Sequence, residues 1–176
     1  MWDSRIPQKP KDPAHQRQGL VNRAKGKQFE GRLDAAFEYY HLRGAASVEK
    51  TPEPMKVLKS LGDGRFIACF EKKAQPDYKG LIKGGREVLF EAKFTSTDRI
   101  KQEKVKKEQG DYLDEHQALG ARCYVLAGFP GGAVYRLPWD DWKNMKQLFG
   151  RKYVTEADLQ KYRVPMDRAG RLQLLG

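Results

Sequence analysis

Two opposite charges project from one side of an apolar segment, Glu87-Val88-Leu89-Phe90-Glu91-Ala92-Lys93. Side chains alternate along a strand, so Leu89, Glu91 and Lys93 share one face while Val88, Phe90 and Ala92 share the other. Burying unpaired charge is costly, so a strand apolar enough to be central needs a reason to carry Glu beside Lys. One reason is a buried ion pair. Another is a site where a carboxylate holds a divalent cation and an ammonium faces a phosphate or an attacking water. Asp77 lies 14 residues before Glu91, at the mouth of a hairpin expected around Gly84-Gly85. A strict two-residue turn at Gly84-Gly85 would place Asp77 opposite Ala92, facing away from Glu91. Bringing Asp77 onto the Glu91 face requires a three-residue loop with a bulge, or a bend at Pro76.

Period and punctuation in the sequence outline the elements that must hold these residues. Phe29, Leu33, Phe37 and Tyr40 recur at helical spacing and predict an amphipathic helix over residues 19–43, stopped by Gly44. A strand over 45–50 is broken by Thr51-Pro52-Glu53-Pro54, and 55–64 reads as a polar, stalk-like connection carrying Lys56 and Lys59. Strands follow at 65–70 and on either side of Gly84-Gly85. Residues 97–117 read as long, charged and mostly helical, though Gly110 could interrupt them. Strands at 122–127 and 133–137 flank Gly128-Phe129-Pro130-Gly131-Gly132. Short helices are expected at 139–149 and 156–162, the second opened by Thr155 with Asp158 three residues on. Trp139 and Trp142, three residues apart, are expected to face the core. The first 19 residues, with Pro7, Pro10 and Pro13 among basic residues, read as a mobile arm. Residues 20–164 form a single domain, with 51–64 as the stalk-like connection, and 165–176 an extended tail.

The 176 residues carry 34 Lys+Arg against 23 Asp+Glu, a formal net charge of +11. Such a surplus favours a polyanionic partner, nucleic acid first. No apolar run is long enough to span a membrane. The opening residues have no apolar segment behind their charges, so they do not read as a secretory signal. Cys69 and Cys123 lie outside any CxxC spacing and read as free thiols of a reducing, cytoplasmic compartment rather than zinc ligands.

Asp, a spacer, then Glu-x-Lys is the pattern of the PD-(D/E)xK nucleases, here Pro76-Asp77 … Glu91-Ala92-Lys93. Further stretches resemble one family of that superfamily, the RecU Holliday junction resolvases. They are Asn22-Arg23 leading into Phe29-Glu30, Glu38-Tyr39-Tyr40, Lys50-Thr51-Pro52-Glu53-Pro54, Pro76-Asp77-Tyr78-Lys79-Gly80, Phe90-Glu91-Ala92-Lys93 and Glu115-His116-Gln117. The likeness departs at Ala24, where the family usually has glycine, at Glu53, which replaces a threonine, and at Gln75-Pro76, where hydroxyl residues are common.

The resemblance implies an α/β, restriction-endonuclease-like core, a mixed β-sheet flanked by helices. It implies a homodimeric, Mg²⁺-dependent endonuclease (Mn²⁺ expected to substitute) that nicks opposing strands of branched, four-way DNA symmetrically. Asp77 and Glu91 would hold the metal, the Ala92 carbonyl would add a further oxygen, and Lys93 would serve the attacking water. Glu30 would match a metal-site acid of the first helix, and Gln117 a site glutamine of the following helix. Beside such a core, the basic run 99–107 and the segment 22–27 would track DNA phosphates. The DNA-binding set is then Arg17, Arg23, Lys25, Lys27, Lys50, Lys56, Lys79, Lys101, Lys104 and Lys107. Two other readings stay open: another nuclease of this superfamily acting on flaps or duplex, or a non-catalytic DNA-binding protein on the same fold.

Overall fold

The computed structural model describes residues 13–52, 54–70 and 75–175. Helix α1 spans Pro13–Leu42. Six strands follow: β1 Ala46–Lys50, β2 Met55–Gly62, β3 Arg65–Phe70, β4 Tyr78–Ile82, β5 Arg86–Phe94 and β6 Arg99–Lys101. After them come α2 Lys107–Ala118, β7 Arg122–Gly128, β8 Val134–Pro138, the short helices α3 Trp139–Lys143 and α4 Met145–Phe149, and β9 Tyr153–Thr155. The main sheet has the order β1-β4-β5-β7-β8. All its pairs are antiparallel except β5 with β7, which are parallel and joined through α2. This mixed sheet flanked by helices is the architecture that the resemblance implied.

The alternation in β5 divides the core in two. Val88 and Phe90 enter a cluster beneath α1 with Phe29, Leu33, Phe37 and Tyr78. Leu89 enters a cluster on the opposite face with Leu113, Trp139 and Trp142. The two tryptophans are core residues, as their spacing predicted. Gly110 does not interrupt α2; a Cβ there would meet the Trp139 ring at 3.2 Å, so glycine admits the indole.

Five expectations are corrected. The first helix starts at Pro13 rather than Gly19, so only residues 1–12 of the expected arm remain, and these lie outside the described residues. The connection expected at 55–64 is mostly strand: β2 pairs with β3 in a two-stranded ribbon apart from the main sheet. Both faces of that ribbon are exposed from Met55 to Cys69, which removes the alternation that marks a half-buried strand. The helix expected over 97–117 divides into β6, a 3₁₀ turn and α2, because Ile100 is buried between exposed neighbours and β6 pairs with β9. The helix at 139–149 splits at Asn144, and 156–162 keeps only a 3₁₀ turn, although Thr155 does donate to Asp158 as expected. The tail is part of the core: Leu172 and Leu174 are buried under α1, and Met166 bridges to Leu172.

The link between β1 and β4 leaves no room for a side chain at Gly80. A Cβ there would fall 1.9 Å from the Ser47 carbonyl oxygen. Gly80→Ala is expected to lower stability by roughly 3 kcal/mol, since neither backbone can retreat without breaking the ladder. Urea unfolding would read the loss, and a midpoint equal to wild type would contradict the close approach.

Candidate active site

The β4–β5 hairpin closes with a three-residue loop, Lys83-Gly84-Gly85, between paired Ile82 and Arg86. Gly84 and Gly85 take φ of +97° and +83°, a region that favours glycine. Tyr78 pairs with Phe90, so Asp77 comes level with Glu91, as the longer loop required. One oxygen of Asp77 accepts the Ala92 N–H at 2.8 Å and lies 4.0 Å from Lys93 Nζ. Lys93 Nζ also contacts Glu91 Oε1. Asp77, Glu91 and Lys93 therefore converge on the face away from α1.

Glu91 is the charged side chain that is fully buried among the described residues. Burial pushes its carboxyl up to about 7, and the neighbouring Asp77 charge pushes in the same direction against Lys93. Its Oε1 accepts from Lys93 and from Gln109 Nε2, the latter at 2.6 Å, while its Oε2 has no partner. An orphaned buried carboxylate oxygen beside a second carboxylate suits a hard dication, which binds oxygens and retains waters. Asp77 and Glu91 are the residues that would hold it. The Ala92 carbonyl leaves an extended strand on the same side as its N–H, towards Asp77.

Two expected site residues lie elsewhere. Gln117 donates to Asp140 at 2.5 Å and makes no contact with Glu91. The glutamine at the site is Gln109, whose Oε1 accepts the Lys106 N–H at 3.1 Å, so its amide is clamped at both ends. Gln109, Leu113 and Gln117 share the inner face of α2, but eight residues place Gln117 roughly 12 Å further along it. The four-residue spacing to buried Leu113 was the signal that could have found Gln109. Glu30 does not join the pair either. It lies on α1, across the sheet, with its carboxylate 2.5 Å from Lys50 Nζ. No group of three potential metal-ligating side chains forms among the described residues. Beside Glu30, the Tyr78 hydroxyl donates to Asp34 at 2.6 Å, and burial there raises the phenol far above its ordinary value.

The expected DNA-contact residues gather largely at one end of the sheet. Phe29 lies against Gly128, where a Cβ would meet its ring at 2.7 Å, and β7 ends at Gly128. The part of α1 before Phe29 therefore runs beyond the sheet for roughly 24 Å, carrying exposed Arg17, Arg23, Lys25 and Lys27. Lys50 ends β1 at that same edge, and Lys56 is exposed on the ribbon beyond it. Lys79 is half-buried and donates to Gln75. Past the end of β5, Lys101 and Lys107 are exposed beside Glu103 and Asp111, and Lys104 is exposed. No described helix is long and apolar enough to cross a membrane.

Comparison with known proteins identifies relatives of the chain. The family described as RecU, recombination protein U, matches residues 24–175. The Holliday junction resolvase RecU of Bacillus pumilus (strain SAFR-032) is 29% identical over 162 residues, covering 86% of this chain and 74% of that protein. That of Streptococcus pneumoniae (strain Taiwan19F-14) is 27% identical over 163 residues, covering 88% and 81%. The solved structure of Archaeoglobus fulgidus Hjc, a Holliday junction resolvase, overlays with a TM-score of 0.44 at 15% identity, covering 77% of this chain and 87% of that one.

A buried acid whose proton affinity is raised on folding stabilises the fold at low pH. In metal-free buffer, wild-type stability is expected to fall as pH rises from the unfolded value near 4.5 through about 7. Glu91→Gln removes that slope and should be more stable than wild type at pH 8 by roughly 2 kcal/mol. Denaturant midpoints across pH test this; a variant less stable at pH 8 would refute burial as the cause.

Proposed function

The chain belongs to the RecU family, and from that membership we propose that it is an endonuclease resolving four-way DNA junctions by paired nicks, with Mg²⁺ as cofactor. The observation that carries this reading is the convergence of Asp77, Glu91 and Lys93 around an unpartnered buried carboxylate oxygen. A dication bound by Asp77 and Glu91 would supply Lewis acidity and lower the pKa of a coordinated water. Lys93, within reach of both carboxylates, neutralises charge developing on the scissile phosphate and orients the water. Gln109 fixes the Glu91 carboxylate by donating to one oxygen and leaves the other for the cation. The Ala92 N–H does the same for Asp77. Mn²⁺ offers the same preference for oxygen ligands and should substitute.

Paired symmetric nicks need two active sites, and a junction with two-fold symmetry matches a C2 homodimer. The basic surface at the open end of the sheet supports DNA as the substrate, because phosphate contacts supply most non-specific affinity.

Asp77→Asn is expected to abolish cutting of a synthetic four-way junction while junction affinity in Ca²⁺ stays within a few-fold of wild type. Strand-by-strand mapping on junction, flap, linear duplex and single-stranded substrates tests the substrate. Linear duplex cut as fast as the junction would favour a different nuclease on this fold, and an unchanged nicking rate in Asp77→Asn would overturn the site.

Replacing Lys104, Lys106 and Lys107 together is expected to flatten the salt dependence of junction binding, by about one unit of slope for each phosphate the variant no longer neutralises. Filter-binding titrations from low to high salt measure it. An unchanged slope would make that segment an ordinary solvated surface.

A further inference from the structure

A second concavity opens at the same end of the sheet, on the α1 side of the catalytic strand. It encloses about 210 Å³ between α1, the turn 129–133 and Phe94 at the end of β5. Lys25, Gln28, Phe29 and Arg32 reach it from one face of α1, their spacing of three, four and seven placing them together. Phe94 gives it a partly open aromatic ring, backed by the Phe29 ring 5.9 Å away and tilted by 36°, while the Phe129 ring packs edge-on against Tyr135 in the other core. Phe94 keeps part of its surface open, whereas Phe29 and Phe129 are buried. Arg32 braces the far wall by donating to the Gly132 carbonyl at 2.6 Å. Lys25 and Gln28 stand exposed on the rim, and no carboxylate lines the pocket.

We infer that this pocket receives one unstacked nucleobase of the strand being cut, an inference that rests on the nuclease reading above. An aromatic interior rimmed by hydrogen-bond donors suits a flat heterocycle with acceptors on its edge. A bare phosphate would be served by the rim and would leave the open face of Phe94 without a role. Base–aromatic stacking accepts any base, so selection falls to the rim. The Lys25 ammonium matches the paired acceptors of a guanine edge, and the Gln28 amide adds a donor and an acceptor. Phe94 ends β5 on the face opposite Lys93, so the captured base belongs to a nucleotide that rounds the end of the sheet from the cleavage face. The pocket thus confers a base preference at one position of the bound junction, with guanine favoured.

The test uses full-length protein and four-way junctions randomised at the base pairs around the crossover. Wild type should show a preference confined to one position, and Gln28→Ala and Lys25→Ala should each flatten it at least several-fold. A flat wild-type profile, or an unaltered profile in both variants, overturns the inference. Independently of cutting, 2-aminopurine placed in turn at each of those positions is read with wild type in Ca²⁺. Emission should rise at one position for wild type and not for Gln28→Ala. A bound junction in which no position responds also overturns the inference and leaves the nuclease reading standing. A junction that is neither bound nor cut defeats that reading itself.

Discussion

A carboxylate with no access to water lies at the centre of this molecule. Glu91 occupies the middle of a five-stranded sheet, between apolar neighbours, and folding raises its proton affinity into the neutral range. Nothing in hydrophobic burial explains such a placement; an apolar residue of similar volume would pack there at lower cost. Its neighbours make the arrangement tolerable. Lys93 supplies charge, Gln109 supplies a donor, and one oxygen remains open. That unpaired acceptor is the place the proposed cation would fill, which a closed ion pair would not offer.

The placement of Asp77 depends on a single count of residues. With three residues rather than two between β4 and β5, Asp77 comes level with Glu91; one fewer would turn it to the opposite face. The two glycines with positive φ let that loop close without strain, and Gly80 lets β1 approach β4 closely enough to complete the sheet's edge. The chemistry of the site is therefore set partly by residues that have no chemistry of their own.

Much of this was legible in the sequence because it is local. The helical stripe Phe29-Leu33-Phe37 and the pairing of Glu91 with Lys93 on one face of β5 needed only period and spacing, whereas Asp77 was singled out by the resemblance and its face depended on the loop length. What escaped was fixed by distant partners. Ile100 becomes a strand residue only because β9 arrives to pair with β6, and Leu172 and Leu174 become core only because residues 165–175 come back against the cluster beneath α1. Gln109 and Gln117 share a helix face, so only the crossover geometry of α2 separates the one that reaches Glu91 from the one that reaches Asp140. Glu30 illustrates the same limit, since its pairing with Lys50 depends on how α1 crosses β1.

The first turns of α1 overhang the sheet with little apolar surface to hold them, and Arg23 and Lys27 repel each other at four-residue spacing. A helix segment of that kind is marginal in water by itself. Electrolyte acts on it in two opposing ways: it shields the cations from one another, which firms the helix, and it competes for the phosphates they would meet. Ionic strength thus tunes the rigidity of the overhang and its grip on a polyanion with opposite signs, so the molecule is most pliant in dilute buffer, where its attraction to DNA is greatest.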